Sequence, residues 1–303
     1  MKATKIISAC AVLAALASCS SDHELSQQSA EYTPIRIQAN VGGITTKAAH
    51  NLLTSFDNED AINVYITENV PEGGKTSGAN YSPTVYTHNG SQFNAATTQY
   101  FPSNGNGIDV WAVYPSTVTE GNADFTISSN QTNDADYKKS DLMFATKLTN
   151  KHKDDNINLS FSHKLSKIIV KLEKEDGVDG VLAGAVIKLT NVSKTAALNV
   201  SSSGINITST TTTGNDELTI GNYIPDNGTA AIVIPQRTDD MQFKVNLANG
   251  GSYTANMPNN TTEFETNKEY TFTLTLKSNG ISISADINEW NKEDGGSGDA
   301  NLD

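Results

Sequence analysis

The chain has 303 residues, two cysteines and a formal net charge of −13, from 34 acidic and 21 basic side chains. That balance opposes binding to nucleic acid, which wants a basic face, and the length suits two domains of ordinary size. Cys10 and Cys19 both lie near the start, so neither a disulfide nor a cysteine-based zinc site is expected in the folded part.

The chain opens with Lys2 and Lys5, an apolar run from Ile6 to Leu16, and then Ala17-Ser18-Cys19. A basic start, a short apolar core and small residues at a cut site make a secretory signal, and the core is too short to span a bilayer. The ending resembles the lipobox of bacterial lipoproteins. That resemblance implies cleavage between Ser18 and Cys19, acylation of Cys19 on sulfur and amine, and attachment to the outer membrane through lipid. One acyl chain binds membranes only marginally, whereas two or more hold stably. Asp22 and Glu24 follow the cysteine closely. They resemble a surface-export signal of Bacteroidota-type lipoproteins, and a plain polar tether is the other reading.

Residues 1–18 are thus assigned to the signal and 19–33 to a tether. Beyond them, nearly every apolar pattern has period two, which sets one face of a strand in a core and the other in water. Ile35, Ile37, Ala39 and Val41 begin the series. Ile62, Val64 and Ile66 continue it, then Ile108, Val110, Ala112 and Tyr114 with Trp111 and Val113 on the opposite face. Ile157–Phe161, Leu165–Leu172, Ala185–Leu189, Ala230–Ile234 and Phe243–Leu247 follow. Tyr270–Leu276 and Ile281–Ile287 close it. Gly, Asn, Asp, Pro and Ser clusters between them are turn chemistry. A helical turn or two is expected only near Ala48–Leu53, and Ser201–Asn215 reads as a hairpin or long loop. Many short strands with polar turns predict an all-β fold of sandwiches or barrels. The charge run at Lys151–Asn156 sets the expected domain boundary, with 34–156 as the first sandwich and 157–290 as the second. Residues 291–303, rich in Gly, Asp and Asn, read as a disordered tail.

Residue patterns for catalysis are missing. None of the five histidines (His23, His50, His88, His152, His163) sits in a helical zinc-protease motif, and His163 beside Phe161 reads as a hydrogen-bonded structural histidine. Asn133-Asp134-Ala135-Asp136 resembles the start of a calcium loop but lacks the glycine and the distal glutamate such a loop needs. No nucleophile elbow or phosphate-binding loop occurs. Asp154-Asp155 and Asp239-Asp240 lie in polar turns, where solvated charge is the ordinary reading. Trp111 and Trp290 read as core or domain-edge anchors rather than sugar platforms. No metal, cofactor or enzymatic activity is expected.

The order of landmarks carries a family resemblance. Phe56-Asp57-Asn58-Glu59-Asp60-Ala61-Ile62-Asn63-Val64-Tyr65 comes first, then Trp111-Ala112-Val113-Tyr114-Pro115 and Asp141-Leu142-Met143-Phe144-Ala145. Phe161-Ser162-His163-Lys164-Leu165-Ser166-Lys167, Ile232-Val233-Ile234-Pro235-Gln236 and Ile287-Asn288-Glu289-Trp290 complete the set. Together with the lipoprotein signal, this resembles the fimbrillin family, the type V pilins and their accessory subunits, over about residues 33–290. The resemblance implies two tandem transthyretin-like β-sandwich domains, export as a lipoprotein, and assembly of fimbriae on the outer membrane with other fimbrial subunits, contributing to adhesion. It also implies that a trypsin-like protease removes the lipidated end with the first strand, and that a strand from a neighbouring subunit fills the groove left behind.

Residues allow that scheme. Ile35, Ile37, Ala39 and Val41 form the strand to be displaced, and Lys47 and Arg36 are candidate cut sites, although many family members carry Arg where this chain has Lys47. The other reading keeps Ile35–Val41 as a permanent strand. Ile281, Ile283, Ala285 and Ile287 form the candidate donor strand, which could instead complete the second domain; this tilts the reading toward a tip or anchor subunit. A second class of function remains, a monomeric surface lipoprotein that captures glycan or host ligand. It requires Tyr81, Tyr86, Tyr100 and Tyr114 to cluster in the open.

Overall fold

The computed structural model describes residues 32–42, 55–210, 216–225 and 228–290. Ser18, Cys19, Lys47, the Ala48–Leu53 segment and the 291–303 tail lie outside the described residues. In chain order the first elements are β1 (Ile37–Val41), β2 (Ala61–Asn69), β3 (Thr84–His88), β4 (Phe93–Ala95) and β5 (Gly107–Tyr114). Next come β6 (Gly121–Thr126), helix α1 (Asp134–Lys139), β7 (Met143–Lys151) and β8 (Ile157–His163). Then follow β9 (Ser166–Lys174), β10 (Val186–Thr190), β11 (Thr195–Ser201), β12 (Gly204–Ser209), β13 (Glu217–Asn222) and β14 (Thr229–Val233). The last are β15 (Gln236–Arg237), β16 (Gln242–Asn246), β17 (Ser252–Asn256), β18 (Glu263–Phe264), β19 (Lys268–Lys277) and β20 (Gly280–Glu289). Apart from the short α1, the regular structure of the described residues is all strand, as the period-two patterns predict.

A seven-stranded sheet runs in the order β1-β8-β7-β5-β2-β3-β4. Further sheets run β13-β10-β16-β17, β14-β9-β19-β20 and β12-β11-β6, with a short β15-β18 pair. Sheet membership crosses the 156/157 boundary in both directions. Strand β8 pairs with β1 and β7, and β6 pairs with β11. The charge run marks a tight turn (His152 N–H donates to Asp155 Oδ2 at 2.8 Å) that joins two neighbouring strands of one sheet.

Alternation within β2 and β5 explains how the large sheet is covered on both faces. Ile62, Val64, Val110 and Ala112 enter one core, with Ile35, Ile37 and Phe161. Tyr65, Trp111 and Val113, on the opposite face, enter a second and larger core, which also holds the apolar residues of β9, β10, β14 and β19. Tyr65 and Trp111 stack with ring centroids 4.0 Å apart, a contact worth about 0.5–1.5 kcal/mol beyond area burial. Asn133 does not start a calcium loop. It caps α1, its side chain accepting from the N–H of Asp136 at 2.9 Å, with Asp134 and Asp136 in the first turn and Lys138 and Lys139 in the last. Acidic residues belong at that end and basic ones at the other, because of the helix dipole.

One charged pair lies inside the larger assembly of strands. Lys167 on β9 and Glu269 on β19 are parallel-register partners. Their side chains are 0% and 9% exposed and meet at 2.7 Å. Burial pushes the lysine below its usual range and the glutamate beside it opposes that shift. Lys167→Met, which removes the cation facing the buried carboxylate, is expected to cost about 3–5 kcal/mol. The double change Lys167→Met/Glu269→Leu is expected to regain most of it in urea unfolding. Equal losses in the single and double variants would show that the pair is not coupled.

Candidate functional site

Strand β1 lies at one end of the seven-stranded sheet and has a single strand partner. It runs parallel to β8, with Ile37 opposite Ile157 and Val41 opposite Phe161. Ile35, Ile37 and Val41 are buried, Ala39 is half-buried, and Arg36, Gln38 and Asn40 are exposed. Beyond β1, the N–H of Gly42 donates to the carbonyl of Phe161 at 3.0 Å. Before it, the N–H of Ile35 donates to the carbonyl of Gln99 at 2.8 Å, and the N–H of Phe101 to Thr33 at 3.0 Å. Backbone groups alternate between the two sides of a strand. Gly42 faces β8 and Ile35 faces the other way, so Ile37, Ala39 and Val41 turn their N–H and C=O groups away from β8, toward β4.

On the β8 side, the ladder with β7 covers only Phe161, Ser162 and His163. Residues Ile157, Asn158, Leu159 and Ser160 have β1 as their strand partner. Taking β1 away therefore opens the edge of β8 and three apolar positions of the core. Burying Ile35, Ile37 and Val41 contributes about 1.5–3 kcal/mol each. Ordering the backbone costs about 1–2 kcal/mol per residue. The two sums are of similar size.

Arg36 and Lys47 differ as cut sites. Arg36 is exposed and directly precedes β1. A cut after it leaves Ile37–Val41 whole on the downstream chain, so it does not release the strand. Lys47 follows β1 in sequence and a cut there does.

Candidate donor strand β20 is engaged. All ten of its residues pair antiparallel with β19, from Gly280 opposite Lys277 to Glu289 opposite Lys268. Ile281, Ile283 and Ala285 pack on the larger core, and Ile287 is exposed. The strand ends in a clamp. Trp290 is buried and stacks on His163 of β8, centroids 3.9 Å apart and planes 2° from parallel. His163 Nδ1 lies 2.9 Å from Asp141 Oδ2 and 3.0 Å from its Oδ1. The Trp290 N–H donates to the carbonyl of Asn267 at 2.9 Å. Sequence patterns mark His163 as structural and Trp290 as an anchor, but spacing alone does not pair residues so far apart.

Tyr81, Tyr86, Tyr100 and Tyr114 do not form an open cluster. Tyr86 and Tyr114 are buried and Tyr81 is half-buried, its hydroxyl donating to the Tyr100 carbonyl at 2.8 Å. Asp154, Asp155, Asp239 and Asp240 sit in or beside turns at the surface. Among the described residues, no group of three or more His, Cys, Asp or Glu side chains is placed to hold a metal ion, and no helix is long and apolar enough to cross a membrane.

A family model described as fimbrillin-like matches residues 46–290. The proposed fimbrium subunit Fim1C of Bacteroides uniformis is 29% identical to this chain, with 95% of each protein covered. A crystal structure of a proposed cell adhesion protein from Bacteroides uniformis superposes with a TM-score of 0.65 at 23% identity, covering 86% of this chain and 99% of that one. Another, from Bacteroides ovatus, gives 0.67 at 22% identity, covering 87% and 99%. At these identities the two crystal structures establish a shared fold.

Two measurements check the site. Ile37→Ala is expected to cost about 2–4 kcal/mol and to raise amide exchange in β1 and at residues 157–160 of β8 before the rest of the sheet. Uniform acceleration would show that β1 is no separate unit. Trp290→Ala is expected to cost about 3–5 kcal/mol, with the exchange gain concentrated in β20. Unchanged protection of β20 would mean that the clamp does not hold it.

Proposed function

The chain belongs to the fimbrillin-like family, and from that premise we propose that it is a fimbrial subunit that accepts a neighbour's strand in place of β1. The observation that supports this is the single ladder between β1 and β8. Loss of β1 leaves unpaired backbone groups and vacated apolar positions side by side, and an incoming alternating strand satisfies both. A ten-residue strand spans about 33 Å, ample for the length of β8.

In this reading the precursor is cut before Cys19, lipidated there and carried to the outer membrane. A trypsin-like protease then cuts after Lys47, detaching Ile35, Ile37, Ala39 and Val41 with the lipid. Partners are other fimbrial subunits, and the surface fibre contributes to adhesion. The two tandem transthyretin-like domains belong to the same reading. Strand β20 is paired along its length and clamped at Trp290, and the residues after Trp290 carry no apolar alternation. Both features favour an accessory subunit at a tip or an anchor over a repeating stalk unit. Burial of Tyr86 and Tyr114 removes the open cluster of four tyrosines that a purely ligand-capturing lipoprotein would need.

Cutting the protein after Lys47 is expected to let it bind a peptide corresponding to residues 281–290, whereas the uncut protein does not bind it. Sequencing the amino terminus of protein recovered from fibres is expected to begin at Ala48. A lipidated Cys19 on every recovered molecule, with no peptide bound after cutting, would overturn strand replacement.

A further inference from the structure

The open edge of β1 faces β4 across a groove of about 1010 Å³. Hydrogen bonds around Ile35 and Phe101 and the Pro34–Tyr100 bridge close the gap between the first strand and the 98–101 segment at one end. The volume is that of a small-molecule or oligosaccharide site. Three features of its walls define an occupant.

Charge is the first. Among the described residues no Asp or Glu lines this groove, whose ionisable basic groups are Arg36 and His88. Asp154 and Asp155 line an adjoining depression that Arg36 and Gln38 also border. A carboxylate-free wall with a guanidinium, in a protein of net charge −13, complements a negatively charged ligand.

Hydrogen-bonding capacity is the second. Gln38, Asn40, Gln92, Asn94 and Asn158 line the groove, all exposed. Each amide offers two donors and an acceptor, which suits a ligand dense in hydroxyl groups.

Aromatic surface is the third. Tyr32 and Tyr100 are 63% and 43% exposed and meet edge to face with centroids 5.8 Å apart. Both also line a second depression of about 290 Å³ that includes Tyr81, so they form a ridge between two hollows. Phenol rings offer an apolar face and a polar rim, the match for a pyranose. A peptide added as a strand would want apolar pockets for alternate side chains. The apolar side chains along these edges, Ile35, Ile37 and Phe93, are instead buried in the core.

We propose that the groove between β1 and β4 binds an acidic oligosaccharide, with Tyr32 and Tyr100 stacking on its rings, Arg36 on its carboxylate, and the amide row on its hydroxyls. Tyr32, Arg36, Gln38 and Asn40 all precede Lys47, so the site belongs to the uncut chain. Ligand binding and replacement of β1 therefore exclude one another.

The test titrates the intact protein at low ionic strength with tetragalacturonate, 3′-sialyllactose, neutral maltotetraose and hexaglutamate. At least one of the two acidic sugars is expected to bind, more tightly than maltotetraose or hexaglutamate. Tyr100→Ala and Arg36→Gln, both at exposed positions, are expected to weaken it roughly tenfold or more while far-ultraviolet dichroism and melting stay unchanged. Arg237→Gln, away from the groove, is expected to leave binding as it was. Failure of both acidic sugars to bind, equal or tighter binding of hexaglutamate, or full affinity in the two groove variants would overturn the proposal.

Discussion

Everything distinctive about this chain follows from one ladder, the parallel pairing of β1 with β8. Ile157, Asn158, Leu159 and Ser160 have their strand partner there, and the large sheet ends there. A strand in mid-sheet would be held on both sides and could leave only with global unfolding. An end strand with one ladder, three buried side chains and only the short bridge before it at Pro34–Tyr100 on its other side sits where burial and chain entropy are of similar size. On the proposed reading, that balance lets β1 be ordered in the intact protein and still be replaced.

The rest of the fold is built differently. Strand β9 lies between β14 and β19 with Ile168, Val170 and Leu172 buried, and its Lys167 is locked to Glu269 across the ladder. Tyr65, Trp111 and Val113 carry the back of the first sheet into the larger core. The chain end is drawn in by Trp290 on His163. These contacts surround the first strand with buried side chains, and the proposed strand replacement needs such a frame, because the groove must keep its shape while empty.

Much of this was legible in the sequence because burial writes a clear pattern. Ile35, Ile37 and Val41 alternate, and they are buried where alternation says they should be. Trp111 and Val113, out of phase with Val110 and Ala112, already announce a sheet covered on both faces. What the pattern hides is polar structure. Strands β6 (Gly-Asn-Ala-Asp-Phe-Thr) and β12 (Gly-Ile-Asn-Ile-Thr-Ser) carry turn-like residues and are fixed by their neighbours, not by their own propensity. Asn133 and its two aspartates look like ion ligands and are instead a helix cap. A charge run precedes β8 and reads as a boundary, because a tight turn inside one sheet carries the same residues as a linker between two domains. Register across the chain, such as Trp290 meeting His163, depends on tertiary packing that local spacing does not encode.

The central claim is that β1 opens as a unit of its own, and native-state amide exchange on the intact chain tests it most directly. The account predicts that Gln38 and Asn40 exchange together with the amides of 157–160, through an opening of lower free energy than the one that exposes Val110 and Ala112 in β5. If the β1 amides exchange only through the same global opening as β5, the first strand is a permanent part of the sheet and the account fails.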